Sequence, residues 1–192
     1  MKNLLLAALC FVTTLSLAST EPIHGGKIDV NASTVNWTGK KVTGQHTGTV
    51  KIKSGELKME DGNLSGGSFV IDMTSMACTD LPAGPGAKLV GHLSSDDFFG
   101  IANHPTANLT ITNVKKDPKA GNFVVTADLT IKGITKPIEF VADVKDHAAK
   151  ATISIERTQY GIKYGSGSFF DGLGDKMIYD NFDLSVNLVL QH

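Results

Sequence analysis

Eight stretches of this chain alternate apolar and polar residues with a period of two, and that pattern constrains the fold more than any other feature. Val35 and Trp37 share one face of their stretch; His46, Val50 and Ile52 share the next, and Phe69, Ile71 and Met73 the third. The series continues through Leu109 and Ile111, then Phe123 to Ile131, Ile138 to Val144, Ala151 to Ile155 and Phe182 to Leu190. A period of two places alternate side chains on opposite faces of a strand. Opposite faces carry Thr, Ser, Asp, Glu, Lys and Asn, so each strand has one buried and one wet side. Eight such strands must close into a barrel or fold into a sandwich, because an open sheet would leave its edges unpaired. The class is all-β and antiparallel, with Ser54-Gly55, Asp61-Gly62, 118–121 and 146–149 as the expected hairpin connections.

Two stretches break the pattern. Between Asp72 and Pro105, Leu81-Pro82-Ala83-Gly84-Pro85-Gly86 reads as a loop. Residues 87–93 then form two helical turns, with Leu89, Val90 and Leu93 on one side. Ser95-Asp96-Asp97-Phe98-Phe99 follows as a capped turn. An interruption of that length in a compact domain is more often functional than idle. The second stretch, 160–180, is rich in glycine and aromatic residues and reads as a long hairpin or rim loop. It lacks the lysine and hydroxyl of a phosphate loop.

The first residues read as a leader. Lys2 precedes an almost wholly apolar run at 4–17, and Ser16-Leu17-Ala18 has the small residues of a cleavage site. The run is shorter than the roughly 20 residues that span a bilayer. Residues 1–18 are therefore expected to be a signal peptide and the product to be periplasmic or secreted, with no integral membrane association. Cleavage would remove Cys10 and leave Cys78 as the single thiol, so no internal disulfide is expected. With Asp80 nearby and no activating cation, Cys78 reads as a buried structural cysteine.

Charge and motifs exclude more than they assign. Lys and Arg number 18 against 19 Asp and Glu, giving a net charge of −1. No field of that size draws in nucleic acid or an anionic surface. His24, His46, His92, His104, His147 and His192 show no metal-ligand spacing, and no nucleophile elbow or paired-carboxylate arrangement appears. No cofactor, metal or catalytic residue is expected. Asp96-Asp97 reads as a backbone cap, His104 as a turn residue and His147 as exposed surface. Arg157 is the anomaly, because it continues the inward phase of Ala151, Ile153 and Ile155. A buried charge must be paired. It is either bonded to an acid or to loop carbonyls near a barrel end, or it orients the head of an amphiphilic ligand.

Several segments in order resemble one family. Gly91-His92-Leu93-Ser94-Ser95-Asp96-Asp97-Phe98-Phe99 with His104-Pro105-Thr106-Ala107 is similar to the HLxSxDFF and PtA pattern of the YceI family. The likeness extends through Leu129-Thr130-Ile131-Lys132-Gly133-Ile134-Thr135-Lys136-Pro137, Arg157 with Tyr160-Gly161, and upstream through Val35-Asn36-Trp37 and His46-Thr47-Gly48. The resemblance implies an elongated eight-stranded, lipocalin-like barrel over residues 25–192, with the helical insertion near one end. It also implies an exported, non-enzymatic protein that holds a polyisoprenoid or similar amphiphilic lipid, with homodimer formation left open. Carried over residue by residue, the wall of the ligand site is Trp37, Val50, Ile52, Phe69, Ile71, Leu109, Ile111 and Leu129. Its lid is Leu89, Leu93, Phe98 and Phe99, and its head-group contacts are His46 and Arg157. Two other readings stay open: an envelope stress or interaction protein that uses the barrel as scaffold, and an enzyme using His46, His92 or Asp96 on a lipid-like substrate.

Overall fold

The structure, a computed structural model, describes residues 25–145 and 147–191. The expected leader, His24 and His192 lie outside them. Nine strands and one helix follow in chain order: β1 (Gly26–Lys27), β2 (Thr34–Lys41), β3 (Gly44–Glu60), β4 (Asn63–Cys78), α1 (Ala83–Ser94), β5 (Thr106–Lys116), β6 (Phe123–Ile131), β7 (Ile134–Lys145), β8 (Ala148–Glu156) and β9 (Ile178–Val189). β2 pairs with β9, the sheet runs on through β8, β7, β6, β5 and β4, and β4 pairs with β3, which closes onto β2. All these pairings are antiparallel. The result is a closed eight-stranded barrel, with the two-residue β1 lying along the far part of β3. Closure leaves the barrel strands no free edge, which satisfies the backbone groups that an open sheet would expose.

The inward face follows from the alternation. In β6, Phe123, Val125, Ala127, Leu129 and Ile131 are all buried, while the residues between them are more exposed. Elsewhere the phase is broken by bulges that sequence spacing does not announce. In β5 the register shifts between Ile111 and Asn113, which turns Val114 inward after Ile111.

Three expectations need correction. Ser54-Gly55 is not a turn but lies inside the 17-residue β3, beside a register shift between Ile52 and Ser54. The glycine is there because a Cβ at Gly55 would come within 2.5 Å of the Phe69 ring. The helix starts at Ala83, inside the expected loop. Pro85 is tolerated because the first turn of a helix has no intrahelical partner for its N–H in any case. The connection between β7 and β8 is shorter than expected, since β8 begins at Ala148 and only 146–147 lie between the strands. Asp61-Gly62 does form a turn, with positive φ at both residues, and Lys132-Gly133 does the same between β6 and β7.

α1, the β6–β7 turn, the β2–β3 turn and the 161–177 connection gather at one end of the barrel. Arg157, 2% exposed, ties that end together. Its Nη1 donates to the Ile162 carbonyl at 2.9 Å, and Nη2 donates to the Ile178 carbonyl at 3.0 Å and to Asp180 Oδ1 at 3.3 Å. Nε donates to the Tyr179 carbonyl at 3.2 Å. The guanidinium carbon also lies 5.5 Å from the centre of the Phe98 ring, a cation–π contact that reaches the helical insertion. Burial pulls the arginine pKa down and the Asp180 charge opposes that shift. The structural alternative raised by the sequence, a barrel-end arginine bonded to an acid and to loop carbonyls, describes this geometry.

Replacing Arg157 with Met keeps most of the volume but takes the guanidinium N–H groups from three carbonyls and the paired positive charge from Asp180. Urea denaturation of Arg157→Met should show a loss of about 3–5 kcal/mol. A second prediction concerns Gly48, where a Cβ would overlap the Ala77 carbonyl oxygen and the Trp37 indole. Gly48→Val should lower stability by about 1–3 kcal/mol in the same assay, because the backbone of β4 cannot step aside.

Candidate functional site

The inward faces do not meet at the barrel axis. They enclose an elongated apolar cavity of about 260 Å³. Its walls come from β2 to β9 and its cover from the insertion. Trp37, Val50, Ile52, Phe69, Ile71, Leu109, Ile111 and Leu129 line it from the strands, and Leu89, Leu93, Phe98 and Phe99 line it from α1 and the turn that follows. His46 and Arg157 line it too, so all the residues carried over from the resemblance reach one continuous space. Ile138, Phe140, Val144, Leu184 and Val186 also line it; the alternation had marked them as inward facing without assigning them to the site.

An aromatic cluster covers the end closed by Arg157. The Phe98 ring lies 5.3 Å from His92 edge to face, 5.9 Å from Phe99 and 6.1 Å from Tyr164. His92 meets Tyr164 at 4.5 Å, and Phe99 meets Phe182 at 6.1 Å. Phe98 is 5% exposed, which explains why the insertion carries adjacent phenylalanines: one plugs the barrel and the other braces it against β9. Beside this plug the lining includes Lys40, Lys41, His46, His92, Tyr179 and Asn181, which reach it chiefly with their apolar atoms. Sequence spacing missed Lys41, although it continues the inward phase of Val35, Trp37 and Gly39 past a register shift in the β2–β9 pairing. One donor in this lining stands out: Trp37 Nε1 is buried with no hydrogen-bond partner.

The residues weighed for catalysis have other occupations. His46 Nδ1 donates to Asp80 Oδ2 at 2.9 Å, and His92 is packed between two rings; at Asp96 it is the main-chain carbonyl, not the carboxylate, that Lys132 Nζ holds at 2.6 Å. Among the described residues no group of three or more His, Cys, Asp or Glu side chains could hold a metal ion. Cys78 is half-buried rather than buried, and its Sγ donates to Asp80 Oδ1 at 3.2 Å. His104 does lie in a turn, and its ring approaches Gly133. His147 is half-buried at positive φ rather than freely exposed.

Asp80 joins the start of β3 to the end of β4. The His46 side chain, the Thr47 N–H and the Cys78 thiol all donate to it, and together they hold its carboxyl pKa at about 2. A carboxylate whose pKa is depressed on folding adds stability above its unfolded pKa of about 3.9, and loses it as the pH falls through the folded value. Acid unfolding of the wild type should therefore carry a contribution between about pH 4 and pH 2. The stability difference between wild type and Asp80→Asn should narrow over that window. Equilibrium unfolding as a function of pH checks both.

Comparison with known proteins agrees with this geometry. The YceI-like domain pattern matches residues 27–190. A UPF0312 protein of Photorhabdus laumondii is 43% identical over 53 residues, and Protein YceI of Escherichia coli O157:H7 is 45% identical over 51. Those stretches span 28% and 27% of this chain, but only 27% and 26% of the relatives' own lengths. Whole-chain similarity is structural. BcnA of Burkholderia cenocepacia superposes with a TM-score of 0.67 at 18% identity, over 85% of this chain and 99% of its own. A polyisoprenoid binding domain from Saccharophagus degradans superposes at 0.58 and 17% identity, over 86% and 98%. At that identity the superpositions speak to the fold, and the domain match supplies the family. With its closed eight-stranded barrel, its capping helix and that match over nearly all the described residues, this chain belongs to the YceI-like domain family.

Proposed function

We propose that this chain is an exported carrier that sequesters a polyisoprenoid or a similar long amphiphile inside its barrel and performs no chemistry on it. The cavity carries the reading. An apolar void of about 24 cal/mol per Å³ costs a protein roughly 6 kcal/mol at 260 Å³. That is comparable with the whole stability of an ordinary domain, about 5–15 kcal/mol. Larger side chains at Ala107, Ala142 or Ala151, all of which line the space, would remove the cost. A smaller apolar void of about 150 Å³ already stays dry and takes up benzene.

An aliphatic chain gains about 0.8 kcal/mol for each buried CH₂, so the tail supplies affinity. The polar residues beside the plug supply orientation. The Trp37 indole N–H and the Lys41 ammonium suit a head group that accepts hydrogen bonds or is anionic, whereas most of the Arg157 N–H groups are already used by carbonyls and Asp180. The similarity to a polyisoprenoid binding domain supports the ligand class, and residues 1–18 support export to the periplasm or beyond.

Native mass spectrometry and organic extraction of protein purified from the periplasm of its source should recover a single-tailed amphiphile bound to the barrel. Ala107→Leu, which fills part of the cavity, should reduce the recovered lipid several-fold while raising the unfolding midpoint. An empty barrel, or equal recovery from the variant, would sink the proposal.

A further inference from the structure

Among the described residues, six of the seven exposed large apolar side chains gather at one end of this barrel. Val42, Ile134, Tyr164, Phe169, Phe170 and Tyr179, between 37% and 51% exposed, lie at the end that holds the aromatic plug, and Val141 stands apart on β7. The segments that carry them are tied together: the Val42 N–H donates to the Met177 carbonyl at 3.1 Å, the Ile178 N–H donates to the Gly165 carbonyl at 2.8 Å, and Tyr164 meets His92 edge to face. Phe169 and Phe170 both donate their N–H to the Ser166 carbonyl, and Ser166 itself is fully buried. The two rings are thus held outward by a fixed turn. Contiguous apolar exposure of this kind marks an interaction surface.

Charge indicates what the surface meets. In a chain of net charge −1, residues 40–44 and 163–179 carry four lysines against two aspartates, and one of the four, Lys40, is paired with Asp183 at 2.8 Å. Lys163 Nζ sits 4.5 Å from the centre of the Phe169 ring, pairing a cation with an aromatic face. Rings interleaved with lysines on a rigid rim match the boundary of an anionic bilayer, where aromatic bodies enter the acyl edge and ammonium groups stay with the phosphates. Net charge supplies no long-range pull, so any attraction is local and short range. The rim also adjoins the cavity lining at Lys40, Lys41 and Tyr179, so a docked barrel would present its polar cavity end to the membrane.

We propose that this end of the barrel docks peripherally on a lipid bilayer, with Phe169, Phe170 and their neighbours seated at head-group depth. The proposal goes beyond the carrier reading and rests on it only for the direction of ligand transfer. Co-flotation of the full chain, after leader cleavage, with vesicles of phosphatidylcholine and phosphatidylglycerol tests it. Wild type should float, and the double variant Phe169→Asp, Phe170→Asp should lose about ten-fold or more in partitioning. Val42→Asp, at a separate point of the rim, and the pair Lys163→Glu, Lys176→Glu should each weaken it several-fold. Uptake of a fluorescent polyene fatty acid without vesicles, unchanged in these variants, shows that the barrel is folded. If uptake fails in every protein but flotation still depends on the rings, the carrier reading falls and docking stands. Wild type left in the aqueous fraction, or variants that float equally well, would overturn docking. So would a dimer that dissociates in the double variant, since a second copy would then cover the rim.

Discussion

A buried guanidinium holds together the end of this barrel where everything irregular is gathered. Arg157 leaves β8 just as the strand ends, and its N–H groups take the carbonyls of Ile162, Ile178 and Tyr179. Ile162 lies at the beginning of the long connection to β9, and Ile178 and Tyr179 open β9 itself, so one side chain ties the two ends of that loop together. The fork geometry of arginine is needed here, because a single ammonium could not reach three carbonyls and a carboxylate in divergent directions. Burial works against the Asp180 carboxylate, yet the Ser168 and Ser166 hydroxyls and the guanidinium outweigh it and keep its pKa below the usual value. The charge is therefore paired where it is buried, and its π-face contact with Phe98 sets the plug over the cavity.

That arrangement separates two jobs. The far part of the barrel can stay apolar and loosely filled because the polar work of closing the end is done by Arg157, by Asp80 with His46, and by Lys132 on the Asp96 carbonyl. The cavity in turn depends on the small residues Ala107, Ala142 and Ala151, which leave space where larger side chains would pack. Gly48 and Gly55 serve the opposite purpose, letting Trp37 and Phe69 lie flat against the strand backbone. Small residues thus decide both where the interior is tight and where it is open.

Much of the site was legible because a strand reports the direction of its side chains with a period of two. Phe69 and Ile71, or Leu109 and Ile111, could be assigned to the interior from spacing alone, and Arg157 could be recognised as inward facing two residues past Ile155. Bulges set the limit. The phase change after Ile111 and the passage of β3 through Ser54-Gly55 each depend on the opposing strand. The start of α1 was misplaced for a related reason: Gly84, Pro85 and Gly86 have poor intrinsic helix propensity, and packing on β4 overrides it. Cys78 was expected to be buried, but its position follows from Asp80 and Gly86, neither of which its own neighbours in sequence could locate.

By itself the sequence determined that the fold is all-β with one apolar face per strand, that a helical segment interrupts it, and that one arginine points the wrong way for a surface residue. These follow from local periodicity and from the cost of burying charge, which need no knowledge of distant partners. Periodicity left barrel and sandwich open and the family resemblance implied the barrel; the tertiary structure decided that the sheet does close, that its interior keeps a cavity instead of filling it, and that Arg157 is satisfied mainly by the carbonyls of Ile162, Ile178 and Tyr179. It alone gathered Val42, Tyr164, Phe169, Phe170 and Tyr179 on one rim. Closure, volume and surface contiguity are sums over residues far apart in the chain, and no local pattern can encode them.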